Sequence, residues 1–380
     1  MARALALAIL AALVCAAPAL GTTIIVDGGG GGDCTAIQQG VAGASPGDTV
    51  LVAAGTYTGV LNRGIDFAGH DIVLRSMAGP SVTVIDCGGL NRGLYFHSGE
   101  STDAVVEGFT IRNGFAEEGG GIYCTEFSSC TVIDCVVEDC TALGGYHGGG
   151  GICCDWESAT EIYDCVIRRN DSNMFGGGVV YMDYADMTIE RCVFEDNQAS
   201  ISGGGLYVYY DADGFITDCT FVENSSSHHG GGILISQADA TIDGCTFYAN
   251  SAPQLGGGIH VYESSPTITE TIVAGSPDGE GISCSHLSVP SDPTIWNCCV
   301  FGNADGDSLC GTYHDNLFTD PLFCDAGSGD LTLCSDSECL PANNAWAASI
   351  GAYGEGCDSC ASSVWDDEET SWTVIKSIFR

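Results

Sequence analysis

A glycine cluster followed by an aliphatic residue recurs through the middle of this 380-residue chain. The last glycines of the seven copies are Gly121, Gly151, Gly178, Gly205, Gly232, Gly258 and Gly281. The steps between them are 30, 27, 27, 27, 26 and 23 residues. A period in this range is typical of a solenoid, in which each repeat buries its apolar side only by stacking on its neighbours.

A second block in each repeat is built around a cysteine. Apolar residues stand three positions before it and two after it, as Ile189 and Phe194 do around Cys192. Residues two apart on a strand share a face, but an offset of three does not, so the chain must bend just before the cysteine. The residues at that bend are suited to corners: Asp134, Asp164, Asp218 and Gly244. The sequence therefore predicts an all-β fold, a right-handed parallel β-helix with coils of about 27 residues and three short strands per coil.

Asparagines stand five residues after four of these cysteines, at Asn170, Asn197, Asn224 and Asn250. Asparagine tolerates left-handed backbone, and its amide can bond the asparagine one coil away, at about 4.8 Å. We interpret this column as a structural turn ladder. The glycines are also interpreted as structural, since they permit positive φ at a sharp corner. A phosphate cradle is disfavoured because no helix is predicted after them.

The 22 cysteines raise the question of pairing. One column is predicted to point inward and to form a ladder of mostly free thiols, although stacked neighbours also come within disulfide range: Cys135, Cys165, Cys192, Cys219 and Cys245. Cys124 and Cys154 share another column and are a candidate pair. Cys357 and Cys360 form the only Cys-x-x-Cys, without a matching second pair, so no metal site is predicted.

The two ends of the chain differ from the repeats. Residues 1–21 are typical of a secretory signal peptide, with Arg3 before a short apolar core. Residues 22–60 are predicted to form an N-terminal cap, with a short helix, and the first coil; residues 61–309 the β-helix coils; residues 310–360 cysteine-rich closing coils; and residues 361–380 an acidic linker and tail. Six cysteines are expected to form disulfides in the closing coils, with connectivity left open: Cys310, Cys324, Cys334, Cys339, Cys357 and Cys360. The tail over 365–380 is either a docked end or a surface-attachment signal.

Charge narrows the set of partners. The formal net charge is −40, and no Lys or Arg occurs from residue 192 to residue 375. Nucleic acid is excluded as a natural partner, because phosphate binding needs clustered basic residues. No segment after the signal is apolar and long enough to span a membrane. The signal peptide predicts a secreted or cell-surface protein, and the sequence leaves its oligomeric state open.

The glycine-aliphatic blocks and the cysteine blocks together resemble those of bacterial right-handed β-helix repeat proteins and polymorphic outer-membrane-protein-like passengers. Residues 34–57 resemble the amino-terminal cap of pectin-lyase-like β-helix proteins, and the segments at Asp320–Phe323 and Ile350–Tyr353 are similar to their closing coils. The resemblance covers about residues 24–357. It implies the fold but no single activity, since this superfamily holds lyases, hydrolases, adhesins and structural passengers.

Two functions remain open on the sequence. A lyase of this superfamily would need a bound cation and an arginine or lysine base, but Arg112, Arg168, Arg169 and Arg191 are the only basic residues of the regular coils. All except Arg112 are expected to lie close to acids in adjacent coils. We therefore favour a structural or adhesive role with glycan binding, and keep a polysaccharide lyase or glycoside hydrolase as the alternative. No cofactor is predicted, except that the abundant carboxylates could bind Ca²⁺.

The candidate glycan-binding residues follow from strand alternation. On the strand after each glycine cluster the first and third residues are apolar, so the second and fourth are expected to point outward. Aromatic side chains beside carboxylates can stack on sugars and bond their hydroxyl groups. The predicted set is Tyr123, Tyr207, Tyr209, His260, Tyr262, Asp183 and Asp211. Tyrosine also favours exposed strand positions, so a purely structural role stays open. The histidines are not expected to form a constellation.

Overall fold

The computed structural model describes residues 21–144 and 147–360. Within them the chain winds into a solenoid whose coils contribute strands to three parallel sheets. The predicted fold class is confirmed. The predicted signal peptide, apart from Gly21, and the tail over 365–380 lie outside the described residues. None of the helices in the described ranges has the length and apolar composition needed to cross a membrane.

Sheet 1 contains the strand of each coil that carries the isoleucine column and ends just before the corner. In the described part of the chain it has twelve strands: Thr23–Val26, Thr49–Val52, Val73–Ser76, Val105–Glu107, Thr131–Ile133, Thr160–Tyr163, Met187–Glu190, Gly214–Thr217, Ala240–Asp243, Thr267–Thr269, Thr294–Trp296 and Thr312–His314. The isoleucine column pairs in register, for example Ile189 with Ile216.

Sheet 2 contains the strand after the corner, which begins directly after the corner cysteine in six coils, as Val193 does after Cys192. Its ten described strands are Gly55–Tyr57, Thr83–Asp86, Thr110–Arg112, Val136–Glu138, Val166–Arg168, Val193–Glu195, Thr220–Val222, Thr246–Tyr248, Ile272–Ala274 and Cys299–Phe301. The ring centroids of Phe194 and Phe221 are 4.4 Å apart, and those of Phe221 and Phe247 are 4.6 Å apart. This stack fills the interior of the cylinder.

Sheet 3 follows the glycine clusters. Across the described ranges it has nine strands: Ile65–Asp66, Leu94–Phe96, Ile122–Cys124, Ile152–Cys154, Val179–Met182, Leu206–Tyr209, Ile233–Ser236, Ile259–Tyr262 and Ile282–Ser285. Gly176 shows why glycine is required before it. This residue has φ of 57°, and a Cβ on the following Gly177 would lie 2.4 Å from the carbonyl oxygen of Gln198.

Shorter elements complete the solenoid. A fourth ladder that the sequence did not predict joins the strands Phe115–Ala116, Thr141–Ala142, Asp171–Ser172, Gln198–Ala199 and Ser225–Ser226. The predicted cap helix is Ile37–Gly43, and short 3₁₀ turns span Val60–Asn62 and Ala326–Ser328. The closing region carries a small sheet of Phe323–Asp325, Asp330–Cys334 and Glu355–Cys357.

The asparagine column forms the predicted ladder. The side-chain amide of Asn170 donates to Oδ1 of Asn197 at 3.0 Å, and that of Asn197 donates to Oδ1 of Asn224 at 2.9 Å. The left-handed residue of this turn is not the asparagine but the one before it, such as Asp196 with φ of 51°. The expectation that the asparagine itself takes up the left-handed backbone is therefore wrong.

The inward cysteines are free, as predicted. Their thiols form hydrogen bonds with backbone groups at the corner. The backbone N–H of Cys192 donates to Sγ of Cys219 at 3.4 Å, and that thiol donates to the carbonyl of Thr217 at 3.1 Å. Farther along the column Thr271 takes the place of a cysteine, and its hydroxyl accepts from the N–H of Cys245 at 3.3 Å. The column is thus a hydrogen-bond ladder in which a hydroxyl can replace a thiol.

Replacing Cys219 by alanine is expected to lower the free energy of unfolding by about 1–3 kcal/mol, because it leaves the buried N–H of Cys192 without an acceptor. Cys219→Ser keeps an acceptor at the same place, as Thr271 does, and is expected to cost less. Urea denaturation of the two variants measures the difference. Equal losses for serine and alanine would show that the thiol acts only as packing volume.

Disulfides lie at the carboxyl-terminal end of the described chain: Cys284–Cys310, Cys324–Cys357 and Cys334–Cys360. The expectation of disulfides in the closing coils is confirmed for five of the six predicted cysteines. Cys339 is free and buried, and Cys310 reaches back to Cys284 in the regular coils. The pairing considered for Cys124 and Cys154 is wrong, since both are free.

Candidate functional site

Sheet 3 is buried on both faces, which sets it apart from a simple solenoid wall. Its first and third positions face the interior, as expected. Its second and fourth positions form a separate apolar cluster outside the cylinder, built from Tyr123, Cys153, Val180, Met182, Tyr207 and Leu234. Phe175 packs against this cluster, with its ring 4.7 Å from that of Tyr207. Phe175, Ser202, His229 and Leu255 pair along the solenoid just before the glycine clusters. We call the Tyr123–Leu234 cluster with this overlying segment the outer layer.

The outer layer changes the standing of the predicted glycan-binding residues. Tyr123, Tyr207 and His260 are 8%, 5% and 1% exposed, so the expectation that these positions point into solvent is wrong. Strand alternation places them outside the cylinder, but the returning chain covers them. Tyr209, Tyr262 and Asp183 are half-buried, and Asp211 is exposed. Glycan contact at these four residues stays a prediction.

The histidines do meet other polar groups, which the sequence did not predict. The ring centroids of His229 and His260 are 5.0 Å apart, and His260 contacts the hydroxyls of Ser283 and Ser285 at 2.8 and 2.9 Å. Nδ1 of His147 lies 2.6 Å from Oδ2 of Asp155. Burial alone lowers the pKa of His147, but the hydrogen bond to Asp155 and the charge of that carboxylate outweigh it and leave the pKa above its usual range.

The most accessible aromatic side chains near sheet 3 stand at the corner where its strands end. In four consecutive coils the two-residue turn after the strand carries one aromatic and one acidic residue: Glu126-Phe127, Trp156-Glu157, Asp183-Tyr184 and Tyr210-Asp211. The aromatic side chains are 64%, 57%, 49% and 41% exposed in that order. We call these eight residues the corner ridge.

Hydrogen bonds between coils hold the corner ridge in line. The N–H of Phe127 donates to the carbonyl of Trp156 at 3.0 Å, and the N–H of Tyr184 donates to that of Tyr210 at 3.1 Å. The rings of Tyr184 and Tyr210 lie 5.3 Å apart, edge to face. At about 4.8 Å per coil the ridge extends over roughly 14 Å. It therefore presents a row of rings and carboxylates along the solenoid axis.

The backbone of the corner ridge is left-handed at every aromatic. The φ angles are 63° at Phe127, 51° at Trp156, 65° at Tyr184 and 53° at Tyr210. Bulky residues in this region cost about 1–2 kcal/mol each, and glycine, asparagine and aspartate are the usual occupants. At the corner before the cysteines four coils follow that rule, with Asp134, Asp164, Asp218 and Gly244 at positive φ, whereas Arg191 takes this place before Cys192.

The four arginines that the sequence offers as a lyase base all form ion pairs. Arg168 and Arg169 both contact Glu138, at 2.7 and 2.8 Å, and Arg169 also contacts Asp139. Arg191 contacts Asp164 at 2.7 Å. The expectation that Arg112 is the exception is wrong, because its guanidinium lies 2.9 Å from Asp86. Cross-coil ion pairs thus engage Arg112, Arg168, Arg169 and Arg191.

Comparison with known proteins agrees with the β-helix fold. The profile of the family described as "Right handed beta helix region" matches residues 73–227 and 199–345. The chain belongs to this right-handed β-helix family. No curated protein sequence matches it significantly.

Two solved structures match the chain at low sequence identity. Pectate lyase Pel9A is 12% identical with a TM-score of 0.56, over 88% of this chain and 96% of that one. A pectin methylesterase from carrot is 11% identical with a TM-score of 0.31, over 80% of this chain and 85% of that one. The similarity to Pel9A supports the β-helix fold, and the site must be argued from the residues of this chain.

Proposed function

We propose that this β-helix protein binds polysaccharide without cleaving it, with the corner ridge as the contact surface. The observation that carries the proposal is the combination of exposure and left-handed backbone at Phe127, Trp156, Tyr184 and Tyr210. Each ring is unfavourable for folding on both counts, since asparagine or glycine would relieve the backbone and remove exposed apolar surface. Strained residues that persist on a surface point to a function.

The charge of the ridge selects the kind of polysaccharide. Glu126, Glu157, Asp183 and Asp211 alternate with the rings, on a chain of net charge −40. Carboxylates accept hydrogen bonds from sugar hydroxyls and attract ammonium groups, but they repel uronates. The preferred ligand is therefore a neutral or amino-sugar chain. Tyr209 lies beside the ridge, its ring centroid 5.9 Å from that of Tyr210, and extends the stacking surface.

The same proposal places the protein outside the reducing cytosol. Three disulfides close the carboxyl-terminal part of the described chain, and such bonds persist in oxidising compartments. The predicted signal peptide agrees with export, and an adhesive or structural role at a cell surface fits a solenoid with one binding edge.

The test is affinity electrophoresis and calorimetry against a neutral glucan, a chitosan and a polygalacturonate. Trp156→Asn and Tyr184→Asn are each expected to weaken binding to the first two roughly 2- to 10-fold, which corresponds to about 0.5–1.5 kcal/mol per ring. Asparagine suits the left-handed backbone, so both variants should be at least as stable as the parent. Phe318→Ala is the matched control, because Phe318 is 50% exposed in the closing region, beyond the coils that carry the ridge.

Unchanged affinity when Trp156 and Tyr184 are both replaced by asparagine would contradict the proposal. A preference for polygalacturonate would contradict it as well. The panel is run with Ca²⁺ and with a chelator, because ridge carboxylates are ligands that Ca²⁺ accepts. Reducing-end and unsaturation assays on the same samples separate binding from the enzymatic alternative.

A further inference from the structure

A second cluster of polar side chains lies on the outward face of sheet 3, at the strand Ile152–Cys154 and the residue that follows it. His147, Cys153 and Asp155 each offer one ligand atom, and these atoms lie within 4.8 Å of one another. A tetrahedral zinc ion with ligands at 2.0–2.3 Å needs ligand atoms about 3.3–3.8 Å apart. We propose that these three residues form a binding site for one zinc ion.

The state of Asp155 points to a missing partner. Its side chain is fully buried, and among the described residues no group donates to its Oδ1. Its other oxygen is well provided for, by the Tyr123 hydroxyl at 2.9 Å and by Nδ1 of His147 at 2.6 Å. A buried carboxylate oxygen without a partner is costly, and a cation beside it removes that cost.

The donor set selects the class of metal. One imidazole, one thiol and one carboxylate suit zinc and related divalent transition metals, whereas Ca²⁺ and Mg²⁺ prefer oxygen ligands alone. Cys324, Cys334 and Cys357 also lie close together, but all three are in disulfides and cannot coordinate an ion. Cys153 is free.

The surroundings supply the outer contacts that metal sites usually have. Oδ2 of Asp183 lies 4.0 Å from Nε2 of His147, where it can orient the ring once Nδ1 holds the ion. The Tyr123 hydroxyl holds the carboxylate. The His147 side chain is 16% exposed, which gives the ion a path from solvent. Binding displaces the proton between His147 and Asp155 and the thiol proton of Cys153, and both protons pass to solvent.

A bound ion would stabilise the coil that carries the corner ridge, because Asp155 immediately precedes Trp156. It ties the segment that returns over sheet 3, through His147, to the strand beneath it. This role is independent of glycan binding, and its test does not use glycan binding as a readout.

The experiment titrates Co²⁺ and then Zn²⁺ into the full chain after chelation, under anaerobic conditions. We expect one equivalent of Co²⁺ to give a thiolate charge-transfer band with visible bands of tetrahedral cobalt, and one equivalent of Zn²⁺ to remove them. Binding through the many surface carboxylates gives no charge-transfer band. Absence of the band in the folded protein would overturn the proposal.

Variants locate the site. Cys153→Ala is expected to abolish the band, and His147→Gln to weaken binding at least tenfold. Cys154→Ala is the matched control, since it removes a buried thiol from the opposite face of the same strand. Retention of the band in Cys153→Ala would also refute the site. If that variant fails to fold by circular dichroism, the partly exposed His147 still decides, because unchanged affinity in His147→Gln contradicts the ligand set.

Discussion

Replacing Asn197 by alanine is expected to lower the free energy of unfolding by roughly 3–5 kcal/mol, since about 1–3 kcal/mol is lost for each buried polar group left unpaired. The Asn197 side chain is fully buried and serves three coils. Its amide donates to the carbonyl of Ile167 at 2.8 Å and to Asn224, and its Oδ1 accepts from the backbone and side chain of Asn170 at 3.1 and 3.0 Å. The substitution leaves the N–H of Asn170 without its acceptor and removes the side-chain hydrogen bonds to Asn224 and to the carbonyl of Ile167.

Two further variants separate hydrogen bonding from volume. Asn197→Asp preserves the shape but cannot donate to Ile167 or to the facing oxygen of Asn224, and it buries a charge, so its loss should be at least as large. Gln198→Ala changes the exposed neighbour and should stay within about 0.5 kcal/mol of the parent. Equilibrium denaturation in urea gives the three values. A loss below 1 kcal/mol for both Asn197 variants would mean that the hydrogen bonds of the asparagine ladder contribute little to stability.

The interior of the solenoid could be predicted from sequence because stacking repeats the same environment every coil. Ile189 and Ile216, or Phe194 and Phe221, occupy identical positions, and their spacing shows directly in the sequence. Corners such as Asp164 and Asp218 follow for the same reason. An inward position accepts only a side chain of the right size and polarity. Each coil therefore repeats a similar residue there, and the repeat is visible in the sequence.

The outer surface could not be predicted in the same way. Strand alternation predicts which side chains point out of the cylinder but not whether another segment covers them. It therefore places Tyr207 and His260 in solvent, although both are buried. The cover comes from the segments just before the glycine clusters, where Phe175, Ser202, His229 and Leu255 occupy equivalent positions, so the residue type changes from coil to coil. In the corner ridge the aromatic residue alternates between the two turn positions, as Trp156 and Tyr184 do. No fixed spacing marks the ridge, and only the register between coils reveals it.

His147 and Asp155 illustrate a third limit. They flank one glycine cluster and meet because the chain turns sharply between them, with φ of 69° at Gly149. The histidine positions along the repeat place His228 and His229 in coils distant from His147, and they give no sign of the Asp155 carboxylate eight residues away. Both proposed sites thus lie where coils depart from the repeat, whereas the side-chain ladders that stabilise the fold lie where coils repeat the same residues.

Below pH 6.5 the folded protein is expected to lose about 1.4 kcal/mol of stability per pH unit through His260 alone, or about 3 kcal/mol by pH 4.5. Burial, with a smaller contribution from His229, lowers the pKa of His260 to about 3 from an ordinary 6.5, against a small opposing effect of Ser283. The unfolded chain takes up this proton at pH 6.5 but the folded one only near pH 3, so acid favours unfolding across that window. Above pH 6.5 the stabilisation is fully present.

His260→Gln keeps a donor and an acceptor for Ser283 and Ser285 but does not titrate. Its free energy of unfolding, measured in urea at pH 7.5 and pH 4.5, should therefore fall less than that of the parent by about 3 kcal/mol. The difference between the two proteins cancels the titration of the many carboxylates, which both share. His314→Gln is the exposed control, since the His314 side chain is 55% exposed, and it should retain the parent's dependence. Parallel profiles for the parent and His260→Gln would mean that His260 is protonated or solvated in the folded state, and hence that the outer layer opens at this coil.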